Sequence, residues 1–375
     1  MLPLLDVPLH SPTVLQVLWL ILIAVLWIGF FFLEGFDFGV GMLLPFLGKN
    51  DKERRLIVNT IGPHWDGNEV WLLTAGGAMF AAFPGWYATL FSGLYLPLFL
   101  VLVGLILRGV AFEYRGKNDD LAWRKRWDWA AAIGSFLPTL VLGVGFANFL
   151  IGLKVAPHEL AFGDTTVPLF AGTFWGLFSP FALLGGLLFV ALFATHGAFF
   201  IALKTHGVIH ERAEAWGSKI VLAALVLLLA VVIWGNLHKE LPGQLDALRV
   251  VAWITGVVAI AGLACAWFMN KKGRDGWAFI GTAISIVMLI VMYFAHFYPG
   301  LGFDNSLALD TPLDLTTASS SPKTLQIMTI CACCLVPVVL AYQVWSYWIY
   351  RKRLSTANIP DDAASAQEER QGVSA

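Results

Sequence analysis

Four acidic side chains lie where an otherwise apolar sequence leaves little room for charge. Glu34 and Asp37 stand in Leu33-Glu34-Gly35-Phe36-Asp37-Phe38-Gly39, and Asp66 and Glu69 in Gly62-Pro63-His64-Trp65-Asp66-Gly67-Asn68-Glu69-Val70-Trp71. Each pair is spaced i, i+3, which puts both carboxyls on one face of a helix. A charge at mid-membrane costs about 2.5–3.5 kcal/mol on insertion scales, so acids in such segments face protein or water and as a rule have a function. The chemistry open to them is proton relay. A carboxyl in a low-dielectric site can both take and give a proton near neutral pH, and two acids at one level titrate as a coupled pair.

The elements that must position these acids are membrane helices. The chain has 375 residues, 58% apolar and only 13% charged, with 16 Trp and 28 Phe. An average soluble domain is about 25% charged, so the bilayer must serve as solvent here. The net charge of −1 gives no footing for a nucleic-acid partner.

Nine runs are long enough to cross at a helical rise of about 1.5 Å per residue. They are Val14–Leu33, Ile57–Ala82, Ala88–Leu107, Trp129–Leu153, Phe174–Leu203, Trp216–Gly235, Val250–Met269, Trp277–Phe297 and Leu325–Tyr350. The first run continues toward Phe46, with Glu34 and Asp37 inside it. Lys and Arg split 20 to 4 between alternate sets of loops, which accounts for all 24. The positive-inside rule then sets the N-terminus outside and the C-terminus in the cytoplasm. Residues Met1 to Pro12 carry no Lys or Arg, so the basic region of a cleavable signal is missing. The polar tail 354–375 reads as disordered. The outer loop Leu301–Pro322 is expected to pack on the outer surface or against a partner.

Runs one and two form a hairpin whose turn centres near Asp51 and Lys52. Counted outward from that turn, Asp37 and Asp66 are equidistant, and so are Glu34 and Glu69. The hairpin could therefore hold two acid rungs, with Asp66 roughly 16 Å into the membrane by helical rise. Pro63 should kink its helix, and Gly35 with Gly39 allows close helix approach. Asp66 and Asp37 are thus expected to carry protons from the cytoplasmic side. The alternative is that the acids pair with a cation from another helix and only fix packing. Arg108, ending run three, is either an interface anchor or a partner for a carboxylate or a quinone carbonyl.

Other candidates carry less. Cys265, Cys331, Cys333 and Cys334 lie in apolar runs and read as small core hydrophobes; no zinc spacing or disulfide framework is present. His64, His196 and His296 fall in separate runs and read as hydrogen-bonded packing residues, so no haem or metal site is expected in this chain. His206 and His210, at i, i+4, read as solvated. No P-loop, Rossmann fingerprint, nucleophile elbow or HExxH occurs. Glu34-Gly35 with Glu53-Arg54 is faintly echoed by His196-Gly197 with Glu211-Arg212, as a duplication would produce.

Residues 31–115 carry a resemblance. Glu34-Gly35-Phe36-Asp37-Phe38-Gly39-Val40-Gly41, Leu47-Gly48-Lys49-Asn50-Asp51-Lys52-Glu53-Arg54-Arg55, Pro63 through Ala78, Phe91-Ser92-Gly93-Leu94-Tyr95, and Arg108 with Phe112-Glu113-Tyr114-Arg115 resemble subunit II of cytochrome bd-type quinol oxidases. The resemblance implies an all-α polytopic protein of the bacterial inner membrane with nine transmembrane helices. These would form two four-helix bundles, within 1–153 and 174–297, plus a peripheral helix over 323–350. It implies a heterodimer with a haem-bearing subunit I that carries haems b and d, oxidises quinol and reduces oxygen to water. It points to Asp66, Asp37 and Glu34 as parts of a proton route into subunit I, with Trp65 beside them. Some members hold a structural quinone, for which Arg108 is the candidate contact. In related sequences the position of Glu69 can be neutral, which would make its rung optional. Whether a small single-helix accessory subunit joins is left open. A second class, a proton-coupled secondary transporter, also tolerates membrane carboxylates and repeats. Transporters break helices around a substrate site, however, and Pro63 has no counterpart in the second half.

Overall fold

A computed structural model describes residues 11–159, 166–238, 245–307 and 312–361. The helices are α1 (Val14–Leu47), α2 (Asp51–Ile61), α3 (Trp65–Ala82), α4 (Pro84–Gly93), α5 (Tyr95–Arg115), α6 (Leu121–Ile151), α7 (Pro180–Lys204), α8 (Val208–Leu237), α9 (Asp246–Lys271), α10 (Asp275–Phe297) and α11 (Pro322–Ile349). Eight of them, among the described residues, are long and apolar enough to cross a membrane: α1, α5, α6, α7, α8, α9, α10 and α11. The architecture is all-α and polytopic.

The expected run Ile57–Ala82 is not one helix. Pro63 has no N–H to donate and clashes with the preceding turn, and the chain breaks at Gly62-Pro63-His64 into α2 and α3. Neither piece alone is long and apolar enough to span. The run Ala88–Leu107 is likewise divided, at Leu94, between α4 and α5.

Close packing in the middle rests on glycines. α1 meets α7 at Gly39 and Gly197, where a Cβ on Gly39 would lie 2.8 Å from Gly197 Cα. No side chain fits there, so the two backbones touch. From Phe30 to Leu44 almost every residue of α1 is buried, Glu34 and Asp37 included. Rings of Phe31, Phe146, Phe189 and Phe193 interlock across α1, α6 and α7 at centroid distances of 4.9–5.9 Å. α11 is peripheral, and Leu325 is its one buried residue.

A small sheet, absent from the sequence reading, caps one end. Strands β1 (Leu153–Glu159), β2 (Thr166–Phe170) and β3 (Phe303–Asp304) lie in the order β2-β1-β3, antiparallel and then parallel. The loop after α10 packs beside them: Leu313, Leu315 and Ala318 are buried, and Ser320 N donates to Ala82 O at 2.8 Å.

Two expectations need correction. All four cysteines are exposed on outer helix faces, not set in the core. An apolar run cannot distinguish a lipid-facing position from a buried one, because both solvents are apolar. The tail is not disordered from residue 354. Leu354 pairs with Thr205, Ile359 is buried, and Arg353 Nη2 reaches Asp275 Oδ2 at 2.6 Å. Lys52 meets Asp361 at 2.6 Å. The rest of the expected disordered tail, 362–375, lies outside the described residues, as do Lys239 and Asp310 among the loop residues.

Candidate functional site

The site is built where α1, α3, α5 and α11 meet. α1 contributes Glu34 and Asp37, both wholly buried and one helical turn apart. α5 contributes Arg108, also wholly buried. α3 contributes Trp65, Asp66, Asn68 and Glu69.

Arg108 is at the centre. Its guanidinium forms an ion pair with Glu34 through Nη1 and another with Glu69 through Nη2, the latter at 2.9 Å. It also lies over the rings of Phe38 and Trp65, 4.7 and 5.9 Å from their centroids. Backbone contact places it. A Cβ on Gly134 of α6 would stand 2.7 Å from Arg108 N and from Gly104 O, so only glycine lets α5 seat this deeply. Trp65 packs edge-on against Phe112 at 5.5 Å and walls the guanidinium from one side. A quinone carbonyl at Arg108 would have to displace one of the two carboxylates.

Asp37 sits one turn along. Its Oδ2 accepts from Asn68 Nδ2 at 2.7 Å. Asn68 Oδ1 in turn accepts from Tyr347 OH at 2.9 Å and Gln343 Nε2 at 3.1 Å, which ties the cluster to α11. Asp37 Oδ1 is buried and has no hydrogen-bond partner among the described residues. Buried polar atoms are satisfied in nearly all cases, so this oxygen is an exception that needs a cause. The nearby guanidinium of Arg108 is taken by Glu34 and Glu69.

The matched rungs expected from the hairpin form only in part. Glu34 and Glu69 do come to one level, but bridged by Arg108 rather than facing each other. Asp37 meets Asn68 instead of Asp66. Asp66 is exposed on the outer face of α3, in a stripe with Gly67, Val70, Leu73, Thr74, Gly77 and Phe80. The break at Pro63 resets the helical phase, so counting residues outward from the turn misassigns which face Asp66 occupies. Asn68 is neutral and so gives no charge signal in the sequence, although an amide is the natural donor to a buried carboxylate.

The histidines are committed elsewhere. His196 Nδ1 is 2.6 Å from Thr282 Oγ1, and Nε2 is 3.1 Å from Phe32 O. His296 Nε2 is 3.1 Å from Asn236 Oδ1, and the His64 ring stacks on Tyr347 at 4.1 Å. Both nitrogens of His196 are thus taken by hydrogen bonds, as a packing histidine's are.

Many apolar helices, packed through glycines around a buried acid–arginine cluster, define a multi-pass helical membrane protein with charge chemistry in its interior. Residues 15–350 match the family described as cytochrome bd terminal oxidase subunit II. The chain is 41% identical over 338 residues to the cytochrome bd ubiquinol oxidase subunit 2 of Bacillus subtilis, covering 90% of this chain and 96% of that one. It is 36% identical over 373 residues to the cytochrome bd-I ubiquinol oxidase subunit 2 of Escherichia coli, with coverages of 92% and 97%. Its fold is similar to that of a chain in the bd oxidase of Geobacillus thermodenitrificans, with a TM-score of 0.71 at 18% identity, over 90% of this chain and 99% of that one. The chain belongs to the cytochrome bd terminal oxidase subunit II family. The transporter reading falls with that membership.

Proposed function

We propose that this chain acts as the haem-free scaffold of a bd-type quinol:oxygen oxidoreductase in the bacterial inner membrane. In this reading it conducts protons from the cytoplasm toward a haem-bearing subunit I. Haems b and d, the quinol-oxidising site and the oxygen chemistry belong to that partner. The N-terminus is read as outside and the basic loops as cytoplasmic, from the charge bias alone. Residues 1–153 and 174–297 are read as two four-helix bundles, with 323–350 peripheral.

One observation carries the proton role: Asp66 is an exposed carboxyl within an apolar outer stripe of α3. Against lipid it would cost about 2.5–3.5 kcal/mol. A partner surface with polar groups removes that cost and gives Asp66 an acceptor for its proton. Behind it, the Glu34–Arg108–Glu69 bridge and Asp37 supply buried carboxyls, and Trp65 separates Arg108 from the surface. The Arg108 bridge favours a packing role for Glu69 in particular. A structural quinone or a small single-helix subunit would find its surface on the lipid-facing helices.

The test is Asp66→Asn and Asp66→Glu in the assembled complex. Proton conduction predicts that Asp66→Asn lowers turnover and proton uptake together, with normal haem absorption, and that Asp66→Glu restores much of both. Full turnover with unchanged proton uptake in Asp66→Asn would remove Asp66 from the route.

A further inference from the structure

Three potential ligands converge at the basic-loop end, where α8 and α10 begin. His210 and Glu214 stand one turn apart on α8, and Asp275 opens α10. One ligand atom from each can be chosen so that all lie within 4.8 Å of one another. None of these residues takes part in the proposed proton route.

The imidazole's tautomer is fixed. Ala202 O can only accept, and it lies 2.9 Å from His210 Nδ1, so Nδ1 carries a hydrogen. A neutral ring then presents the bare lone pair of Nε2, and Nε2 is 3.5 Å from Glu214 Oε2. Two acceptors facing each other require a proton or a cation between them. An Nδ1–H held by a backbone carbonyl is also how metal-binding histidines are oriented.

Asp275 supplies an independent observation. Its side chain is 5% exposed. Oδ2 is held by Arg353 at 2.6 Å, while Oδ1 is buried with no hydrogen-bond partner among the described residues. The arginine anchors the carboxylate by one oxygen and leaves the other free to ligate. His210 and Glu214 remain partly exposed, so an ion can enter from water. Glu214 and Asp275 bring two negative charges and Arg353 returns one, which leaves a divalent cation a favourable field.

We propose that His210, Glu214 and Asp275 form a divalent transition-metal site that ties α8 to α10 at the basic end of the protein. One imidazole nitrogen and two carboxylate oxygens suit zinc or a similar ion, with at least one position left to water. Zinc donors about 2.0–2.2 Å from the ion stand roughly 3.3 Å apart, a spacing that His210 and Glu214 already approach. The site holds two helices and, through Arg353, the segment after α11.

The experiment uses the intact detergent-purified complex, stripped with a chelator and titrated with zinc alone, beside His210→Gln, Glu214→Gln and Asp275→Asn. Bound zinc is counted by elemental mass spectrometry after gel filtration, and melting is followed with and without the ion. The expected result is about one more zinc per complex in the wild type than in any variant, since each variant removes a ligand. Zinc should raise the wild-type melting temperature and leave that of the variants unmoved. Glu214 is partly exposed, so Glu214→Gln provides a readout if Asp275→Asn does not assemble. Equal zinc in the wild type and Glu214→Gln, or none in the wild type, would overturn the proposal.

Discussion

Two charged clusters in this protein use the same residue types to opposite ends. At the basic end, Asp51 and Asp128 lie among several arginines. Arg115 reaches Asp128 at 2.5 Å and Asp51 at 2.8 Å, Arg124 reaches Asp51 at 2.5 Å, and Arg54 stands 3.6 Å from Asp128. Arg212 similarly holds Glu53 at 2.6 Å. Cations there match or outnumber acids, and each carboxylate is held from more than one side. Between α1, α3 and α5 the ratio reverses among the described residues: Arg108 pairs with both Glu34 and Glu69, and Asp37 lies one turn further along α1. A balanced network has no reason to move a proton, because every charge already has its counter-charge. An acid-rich cluster is where the proposed proton route has carboxyls that can take and give a proton.

The largest expected effect comes from Arg108. Arg108→Leu leaves Glu34 buried without its counter-charge, and breaking such a pair costs about 3–5 kcal/mol. Loss of assembled complex, or a steep fall in its melting temperature, is the expected outcome. If Arg108→Leu melted like the wild type, the bridge would not be holding the cluster. The combined variant Arg108→Leu with Glu34→Gln and Glu69→Gln should regain part of that stability, because the unpaired charges go with the cation.

Next come substitutions that separate the two clusters. Asp37→Asn should assemble, since the amide keeps the size of the side chain, yet turnover of the assembled enzyme should fall by tenfold or more. Asp128→Asn should do the reverse. It removes one of the two acids that hold Arg115 and should lower stability by about 1–3 kcal/mol, while enzyme that does assemble turns over normally. Equal behaviour of the two variants in both assays would dissolve the distinction between the clusters. The smallest effect is expected at Lys52–Asp361, an exposed pair. Lys52→Met should change stability by less than about 1 kcal/mol, and the change should shrink at high salt.

The sequence shows the membrane class plainly, because composition and run length decide it. Pro63 signals a disturbed helix through its missing donor, although Pro45, Pro138 and Pro337 lie inside continuous helices, so the full break at Pro63 is legible only in the structure. The direction of the chain beyond Pro63 is a different matter. Face assignment by counting assumes one continuous helix, and at Asp66 that assumption fails. The Arg108 bridge joins positions distant in sequence, and the apolar run that stops at Leu107 points to an interface anchor, whereas α5 continues to Arg115. The balanced network stayed hidden for a related reason. Counting Lys and Arg by loop sets orientation but passes over Asp51 and Asp128, which sit among those same cations. The exposed cysteines and the docked residues 354–361 depend on tertiary packing that no local pattern encodes.

The central claim is that the cation-poor cluster changes its protonation during turnover. Redox-induced infrared difference spectroscopy on the intact complex, in H2O and in D2O, reads protonated carboxyls directly. The account predicts a deuterium-sensitive carboxyl band that changes on reduction, disappears in Asp37→Asn and persists in Asp128→Asn. The same band at full strength in Asp37→Asn, Glu34→Gln and Asp66→Asn would contradict it.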